Sequence, residues 1–460
     1  MPIPPVASRL GRLGLLAVVS CLFAAGVHAQ TPSPAPSPRP ELPPDEKDFL
    51  GLTSLALGSG ARAFGMGGAF LARADDATAA SWNPAGLSYL RSPELSLVGA
   101  RNAFDRGPEG QAATDSLVGY TPDFVAIAYP LDVGGVSGAV QLSYQRIFSF
   151  TGTRTIDKGE FSFNTTGNGG FDVLALGTGL RIVRSLRVGA TLNRWLNGYH
   201  QHRVRTGVPG GRGQTEQDID YALSGWGGNV GVIWSPSDTL NVGAVGKTPF
   251  TGAVNLRRSR TDFFPATTNR PAGTTMNSYR SSDVRLHLPG AVGVGLSWRP
   301  WSPLTLSADY TRTFWSGGSI RNFFVLVQTP LPDPGHLPEL PPPDITPEPL
   351  PYPTLNDQKQ EDTEQLRIGG EYVIVGQRFK FPLRAGFFTD RQYFLDFNGH
   401  PARFQGVTVG LGVATRSLLV DAAYVLEYGS YADAEASGAQ TFTRFHRVFV
   451  SIIYRHGRGP

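Results

Sequence analysis

The chain has 460 residues but a single cysteine, Cys21, which falls inside an N-terminal apolar run. If a leader ending at Ala29 is removed, neither disulfides nor thiolate metal sites remain available. Lysine is almost as scarce, occurring only at Lys47, Lys158, Lys247, Lys359 and Lys380, so arginine carries nearly all the positive charge. The net charge of +4 is small for this length and argues against nucleic acid as a partner. Beyond the N-terminus no run reaches the ~18 apolar residues of a membrane helix. No Gly-x-Ser-x-Gly elbow is present. His200 and His202 share strand-like spacing but have no third ligand. Gly58-Ser59-Gly60-Ala61 imitates a dinucleotide fingerprint without the strand that should precede it. His446 near Ser451 is too little for a hydrolase. The expectation is no enzyme, no cofactor and no metal.

Arg9 and Arg12 precede apolar residues 13–27, and Val27-His28-Ala29 offers a small-residue cleavage site, so residues 1–29 read as a secretory signal. The rival reading, Val18-Val19-Ser20-Cys21 as a lipoprotein box, is disfavoured because the apolar run continues past Cys21. Residues 30–47 form a Pro-rich linker, extended in character. A second tract, "LPDPGHLPELPPPDITPEPLPYP", cannot pack a core and belongs to a long projecting loop, 316–360.

From residue 92 to the C-terminus the chain alternates with period two, the signature of strands. In "FQGVTVGLGVA" Val407, Val409, Leu411 and Val413 oppose Thr408, Gly410, Gly412 and Ala414. In "PLTLSADYTRTF" Leu304, Leu306, Ala308 and Tyr310 oppose Thr305, Ser307, Asp309 and Thr311. One apolar face and one small or polar face suit a barrel wall between lipid and lumen. Fourteen strands are predicted, near 93–102, 122–130, 136–149, 171–182, 185–199, 218–234, 239–254, 283–299, 303–315, 361–374, 382–391, 403–414, 417–428 and 442–455. Seven long connections alternate with six short ones such as Val183-Arg184, as in barrels with short periplasmic turns and long outer loops. The predicted fold is therefore all-β, a 14-stranded antiparallel transmembrane barrel in the outer membrane of a Gram-negative cell. Trp234, Trp298 and Trp301 would form one interfacial girdle, Trp195 and Trp315 the other. Tyr454 would supply the terminal aromatic read by the barrel-assembly machinery, with "RHGRGP" as a short tail.

Residues 48–91 break this pattern. They are too Gly-rich for a good helix and too irregular for a strand. A bore this wide needs more than wall side chains to fill it, so the segment reads as a plug. Pro84 stops a helix, and Asn83 bonds its own backbone. Asp75 and Asp76 would cap a short turn or meet lumen arginines such as Arg181 and Arg187. Phe323, Phe324 and Leu326, in an apolar run opening the longest loop, would either form a capture surface or extend a strand.

"GARAFGMGGAFLARADDATAASWNPAGLSYL" resembles the N-terminal hatch of FadL/TodX-type outer-membrane transport proteins, and is similar to the related PorV-like group. The first resemblance implies passive uptake of hydrophobic compounds, either long-chain fatty acids or hydrocarbons. Ligand would be captured among the outer loops, the hatch would shift, and the ligand would leave sideways through the wall. It also implies that Asn83, Pro84 and Ala85 are hatch residues and that Gly65, Gly67 and Gly68 are its flexible points. The PorV-like likeness implies an alternative, a secretion partner that binds exported proteins. An envelope scaffold is the third reading.

Overall fold

The computed structural model describes residues 58–157, 162–208, 212–266, 272–317, 319–321, 361–432 and 438–457. The expected leader, the linker, the Pro-rich tract and Phe323, Phe324 and Leu326 all lie outside these residues.

The first turns of the described chain are short: α1 (Ala61–Gly65), α2 (Ala79–Trp82) and a 3-10 helix (Pro84–Tyr89). Strands follow without further helices of note. In chain order they are β1 (Glu94–Pro108), β2 (Asp115–Val133), β3 (Val136–Ser149), β4 (Gly152–Asp157), β5 (Ser162–Val183), β6 (Leu186–Leu196) and β7 (Gly198–Val208). Next come β8 (Arg212–Ser237), β9 (Leu240–Lys247), β10 (Phe250–Phe264), β11 (Gly273–Leu288), β12 (Ala291–Trp301), β13 (Leu304–Thr313) and β14 (Ser319–Arg321). The last are β15 (Thr363–Val375), β16 (Lys380–Leu395), β17 (Pro401–Ala414), β18 (Leu418–Ala432) and β19 (Gln440–Arg455).

Every pairing is antiparallel, and β1 pairs with both β2 and β19, which closes the sheet. Five staves are interrupted, as β3/β4, β6/β7, β9/β10, β11/β12 and β13/β14, so nineteen strands make a barrel of fourteen staves. Each of the fourteen predicted strands falls in one stave. Closure leaves no open edge, which is what a strand protein needs in hydrocarbon.

The alternation read from sequence is the alternation of exposure. In β13 Leu306 and Tyr310 are exposed, whereas Thr305, Ser307, Asp309 and Thr311 are buried on the lumen side. β12 places Val292, Val294, Leu296 and Trp298 outward in the same way. Similar rows run around the whole cylinder, from Leu95 and Leu97 in β1 to Ile452 and Tyr454 in β19. An apolar belt of this extent on a closed cylinder is a lipid-facing surface.

Two expectations need correction. Trp195 and Trp315 do not form a girdle; both are buried. Trp226 and Tyr120 face outward towards the long-loop end instead, with the Arg194 and Arg101 guanidinium groups over their rings. Much of what reads as long loop is also continued strand. β4 and β5 occupy most of 150–170, β7 and β8 most of 200–217, and β10 and β11 most of 255–282. Beyond the lipid both strand faces meet water, so the ladder continues while the apolar alternation that reveals it stops.

Candidate functional site

The segment 58–90 touches the wall on all sides. Ala61 N donates to Ser451 Oγ in β19 at 2.7 Å, and Gly67 N to Thr408 Oγ1 in β17 at 2.9 Å. Phe70 N and Leu71 N share Asp309 Oδ2 in β13, at 2.6 and 2.8 Å. Gln141 in β3 donates to Ala77 O at 2.5 Å. Asn83 Nδ2 reaches Leu71 O at 2.9 Å, Val232 O in β8 at 3.1 Å and Ala244 O in β9 at 3.3 Å. Contacts with strands around the whole circumference put this segment across the bore.

Local chemistry explains its shape. Asn83, fully buried, ends α2 in an extended conformation, and its Oδ1 accepts Ala85 N at 3.2 Å, capping the 3-10 helix that Pro84 begins. Gly67 and Gly68 have φ of +68° and +75°, where a side chain is strained, and a Cβ on Gly67 would stand 2.9 Å from Ile368 O of the wall. The wall answers with glycines of its own. A Cβ on Gly369 would lie 2.1 Å from Met66 O, one on Gly386 2.2 Å from Gly67 N, and one on Gly231 2.0 Å from Asn83 Oδ1. Gly65 packs against Gly410. Main chain therefore lies directly on main chain.

One side of the segment is held by charge. Arg62 Nη1 lies 2.6 Å from Asp75 and 3.2 Å from Asp76, and its Nε 3.2 Å from Glu371 in β15. Arg73 pairs with Asp75, and Arg384 in β16 bridges Glu371 at 2.8 Å to Asp421 of β18 at 2.6 Å. Burial would lower the Arg62 pKa, but Asp75, Glu371 and Asp76 outweigh it and hold the guanidinium well above its ordinary value. Burial would likewise raise Asp75, yet Arg62 and Arg73 keep its carboxyl below the usual carboxylate range. Asp76 also caps a turn, accepting Thr78 N at 2.9 Å. The partners of the aspartates are thus Arg62 and Arg73, not Arg181 or Arg187; Arg187 stacks 4.0 Å over Tyr89.

Towards the long-loop end the lumen has two unlike walls. On β3, β5–β8 and β10–β11 an apolar cluster includes Phe171, Trp195, Tyr199, Ile219, Tyr221, Leu223 and Leu286. Phe150 stacks on Tyr199 at 4.0 Å, Tyr199 on Tyr221 at 4.7 Å, and Trp195 on Phe250 at 4.6 Å. Sequence reading assigned the lumen face to small and polar groups and missed this cluster; the paired Phe148 and Phe150 were its visible sign. On β15–β19 the wall is mixed, with Gln365, Arg367, Asp390 and Glu427 buried beside Phe388, Phe404, Phe445 and Phe449. A cavity of ≈ 150 Å³ lies between these walls and the segment, touching Phe64, Gly67, Gly68, Trp82, Phe148, Arg367 and Glu427. A second, of ≈ 70 Å³, touches Ala80, Trp195, Gly227, Lys247, Phe250 and Leu288. Beside it the β8 ladder lapses between the Ser224–Ala253 pair and Gly228, whose carbonyl accepts Thr248 N at 2.9 Å.

The residues set aside earlier do not assemble a site. His200 and His202 bond Asp220 and Asp218 on an exposed face, and no metal-binding group of three occurs among the described residues. His446 bonds Tyr424, while Ser451 accepts from Ala61 on the lumen side.

Fold and bore define a closed transmembrane β-barrel of fourteen antiparallel staves with an N-terminal segment across it. At the level of sequence no family model and no curated protein matches. Among solved structures the chain is similar to the CymD monoaromatic hydrocarbon channel, with a TM-score of 0.58, 13% identity, and coverage of 89% of this chain and 100% of that one. It is similar to a Pseudomonas aeruginosa FadL homologue at a TM-score of 0.57 and 13% identity, covering 87% of this chain and 99% of the other. The Ralstonia pickettii toluene transporter TbuX matches at 0.55 and 15%, with the same coverages of 87% and 99%. These likenesses concern the fold.

Proposed function

We propose that this protein is an outer-membrane channel for passive uptake of hydrophobic compounds. The observation that carries the reading is the aromatic lining of the outer bore, which leads to cavities beside a segment laid across the barrel. An apolar solute leaving water gains about 25 cal/mol per Å² buried, and stacked rings offer it a dry surface to move along. Neighbours of the same fold described as monoaromatic hydrocarbon channels and toluene transporters support the same solute class.

In this mechanism ligand entering from the long-loop end settles in the cavities, and the segment acts as a hatch. Asn83, Pro84 and Ala85 are its hinge-side anchor; Gly65, Gly67 and Gly68 let it lie against the wall; Asp75 and Asp76 fix its opposite side through Arg62. Exit is sideways, where the ladder lapses between Gly225–Gly227 of β8 and Phe250–Gly252 of β10, beside the smaller cavity. The test is uptake of radiolabelled toluene and palmitate by cells lacking other hydrophobic channels. Expression of the chain should speed entry of at least one; unchanged entry of both sinks the proposal.

A further inference from the structure

At the short-turn end of the bore, arginines gather with no carboxylate among them. Gly179 in β5 and Gly189 in β6 bed the 3-10 helix, since a Cβ on either would stand 2.5 or 2.3 Å from Pro84. The next lumen-facing positions towards the short turn are Arg181 and Arg187, which are direct cross-strand partners. Like charges set opposite one another on a sheet repel. Arg187 is 8% exposed; its guanidinium lies 4.0 Å over the Tyr89 ring, and Nη1 donates to the neutral Ser235 hydroxyl at 3.2 Å. Among the described residues, the groups that act on it electrostatically are Tyr89 and two further cations, Arg181 and Arg91. Arg91 is exposed and Arg181 half-buried, and neither joins an ion pair among the described residues. Acids at this end are engaged elsewhere: Glu94 holds Arg455 at 2.7 Å, and Asp238 lies 3.9 Å from Arg184. Asp132 stands two strands away, on β2. By contrast, Arg146, Arg154 and Arg384 in the bore each pair with a carboxylate. A cation this far out of water is costly without a counter-charge.

We propose that Arg91, Arg181 and Arg187 form an anion site that takes a phosphate group and ties the segment to the wall. Arg91 follows directly on the segment, whereas Arg181 and Arg187 belong to β5 and β6, so one anion joins the two. Phosphate suits the site better than carboxylate, because it offers more acceptor oxygens and up to about two charges to guanidiniums that pair with it bidentately. Arg187 is already positioned by Tyr89 and Ser235, and Arg181 and Arg91 are the reachable pair. Neither cavity touches these residues, so the site stands apart from the channel reading and its failure leaves that reading intact. Free phosphate and a phospholipid head group present the same chemistry, and the experiment separates them.

The test is amide deuterium exchange of the full chain purified in a phosphate-free maltoside detergent. It is run in chloride, in inorganic phosphate at equal ionic strength, and in chloride with dihexanoyl phosphatidylglycerol below its micelle threshold. One or both ligands should slow exchange in peptides spanning 84–91 at least about threefold, as mass action requires of a ligand that holds the docked form. Peptides from β12 should be unchanged. The slowing should vanish in Arg91→Gln and in Arg181→Gln. In chloride Arg181→Gln should exchange no faster than wild type, because it removes a repulsion; faster exchange there would mark an arginine the fold itself needs and would count against the site. Slowing by phosphate alone identifies the free ion as the ligand, and slowing by the lipid identifies the head group. Slowing by neither, or slowing that survives either variant, overturns the inference.

Discussion

Replacing Asn83 by alanine tests whether the segment is held to the wall as its geometry says. The side chain donates to three backbone carbonyls and caps the 3-10 helix. Losing the cap costs about 1 kcal/mol. Each neutral donor bond contributes about 1 kcal/mol net, and the carbonyls of Val232 and Ala244 belong to wall strands that cannot close over the gap. The expected loss is roughly 2–4 kcal/mol, felt by the segment and not by the closed barrel. At about 1.4 kcal/mol per tenfold, amides of peptides spanning 61–90 should exchange with deuterium roughly 30- to 1000-fold faster. Peptides from β12 serve as the internal reference and should be unchanged. Asn83→Asp should be at least as damaging, because it turns a carboxylate towards three carbonyl oxygens. Exchange within threefold of wild type in 61–90, with the barrel intact, would refute the anchoring role.

Gly386→Ala, which puts a methyl group 2.2 Å from Gly67 N, should displace the segment and expose it to added protease, at a cost of about 1–3 kcal/mol by overpacking; unaltered protection would contradict the close approach. Arg62→Met leaves Asp75, Asp76 and Glu371 short of a cation and should loosen the segment by about 3–5 kcal/mol, read by the same exchange experiment. Because Asp75 titrates below its ordinary 3.8, its stabilisation is complete above that pH and is lost only as pH falls through the lower folded value. The Asp75 share of segment protection, read as the difference between wild type and Asp75→Asn, should therefore be constant from about pH 5 to 8 and vanish only in strong acid; a difference that fades near neutrality would contradict the assignment. Trp226→Cys with Thr251→Cys spans the lapsed ladder in a chain whose only cysteine is Cys21. Oxidation should slow uptake and reductant restore it; full uptake in the cross-linked form would move the exit elsewhere.

The staves were legible because lipid imposes a simple rule on alternate residues. Leu306 and Tyr310 against Ser307 and Asp309 obey it without any knowledge of neighbours. That rule stops where lipid stops. Ser162–Asn168 and Arg212–Asp218 are strand in the structure, yet their sequences show no apolar face, since the ladder alone holds them. The segment's place in the bore was legible from its composition, but its partners were not. Arg62, Glu371 and Arg384 come from three stretches of chain, and only the register of β15 on β16 brings Glu371 opposite Arg384. The wall glycines were visible as the small face of each strand; that Gly231, Gly369 and Gly386 were carved for particular atoms of the segment was not.

The two sides of the segment differ in how readily they can let go, and this gives the proposed movement a direction. On the β15–β18 side, Arg62, Arg73 and Arg384 interlock with Asp75, Asp76, Glu371 and Asp421, and separating any one leaves an uncompensated buried charge. On the β8–β9 side, Asn83 makes neutral hydrogen bonds, each replaceable by water or by a shifted register at far smaller cost. On the proposed channel reading, a ligand pressing on Ala80 and Ser81 from the smaller cavity would move the Asn83 side first, with the ionic side as pivot. That side is also where β8 and β10 are least joined. The weak anchor, the cavity and the lapsed ladder coincide, so in the proposed mechanism the displacement that frees the ligand would also uncover its way out through the wall.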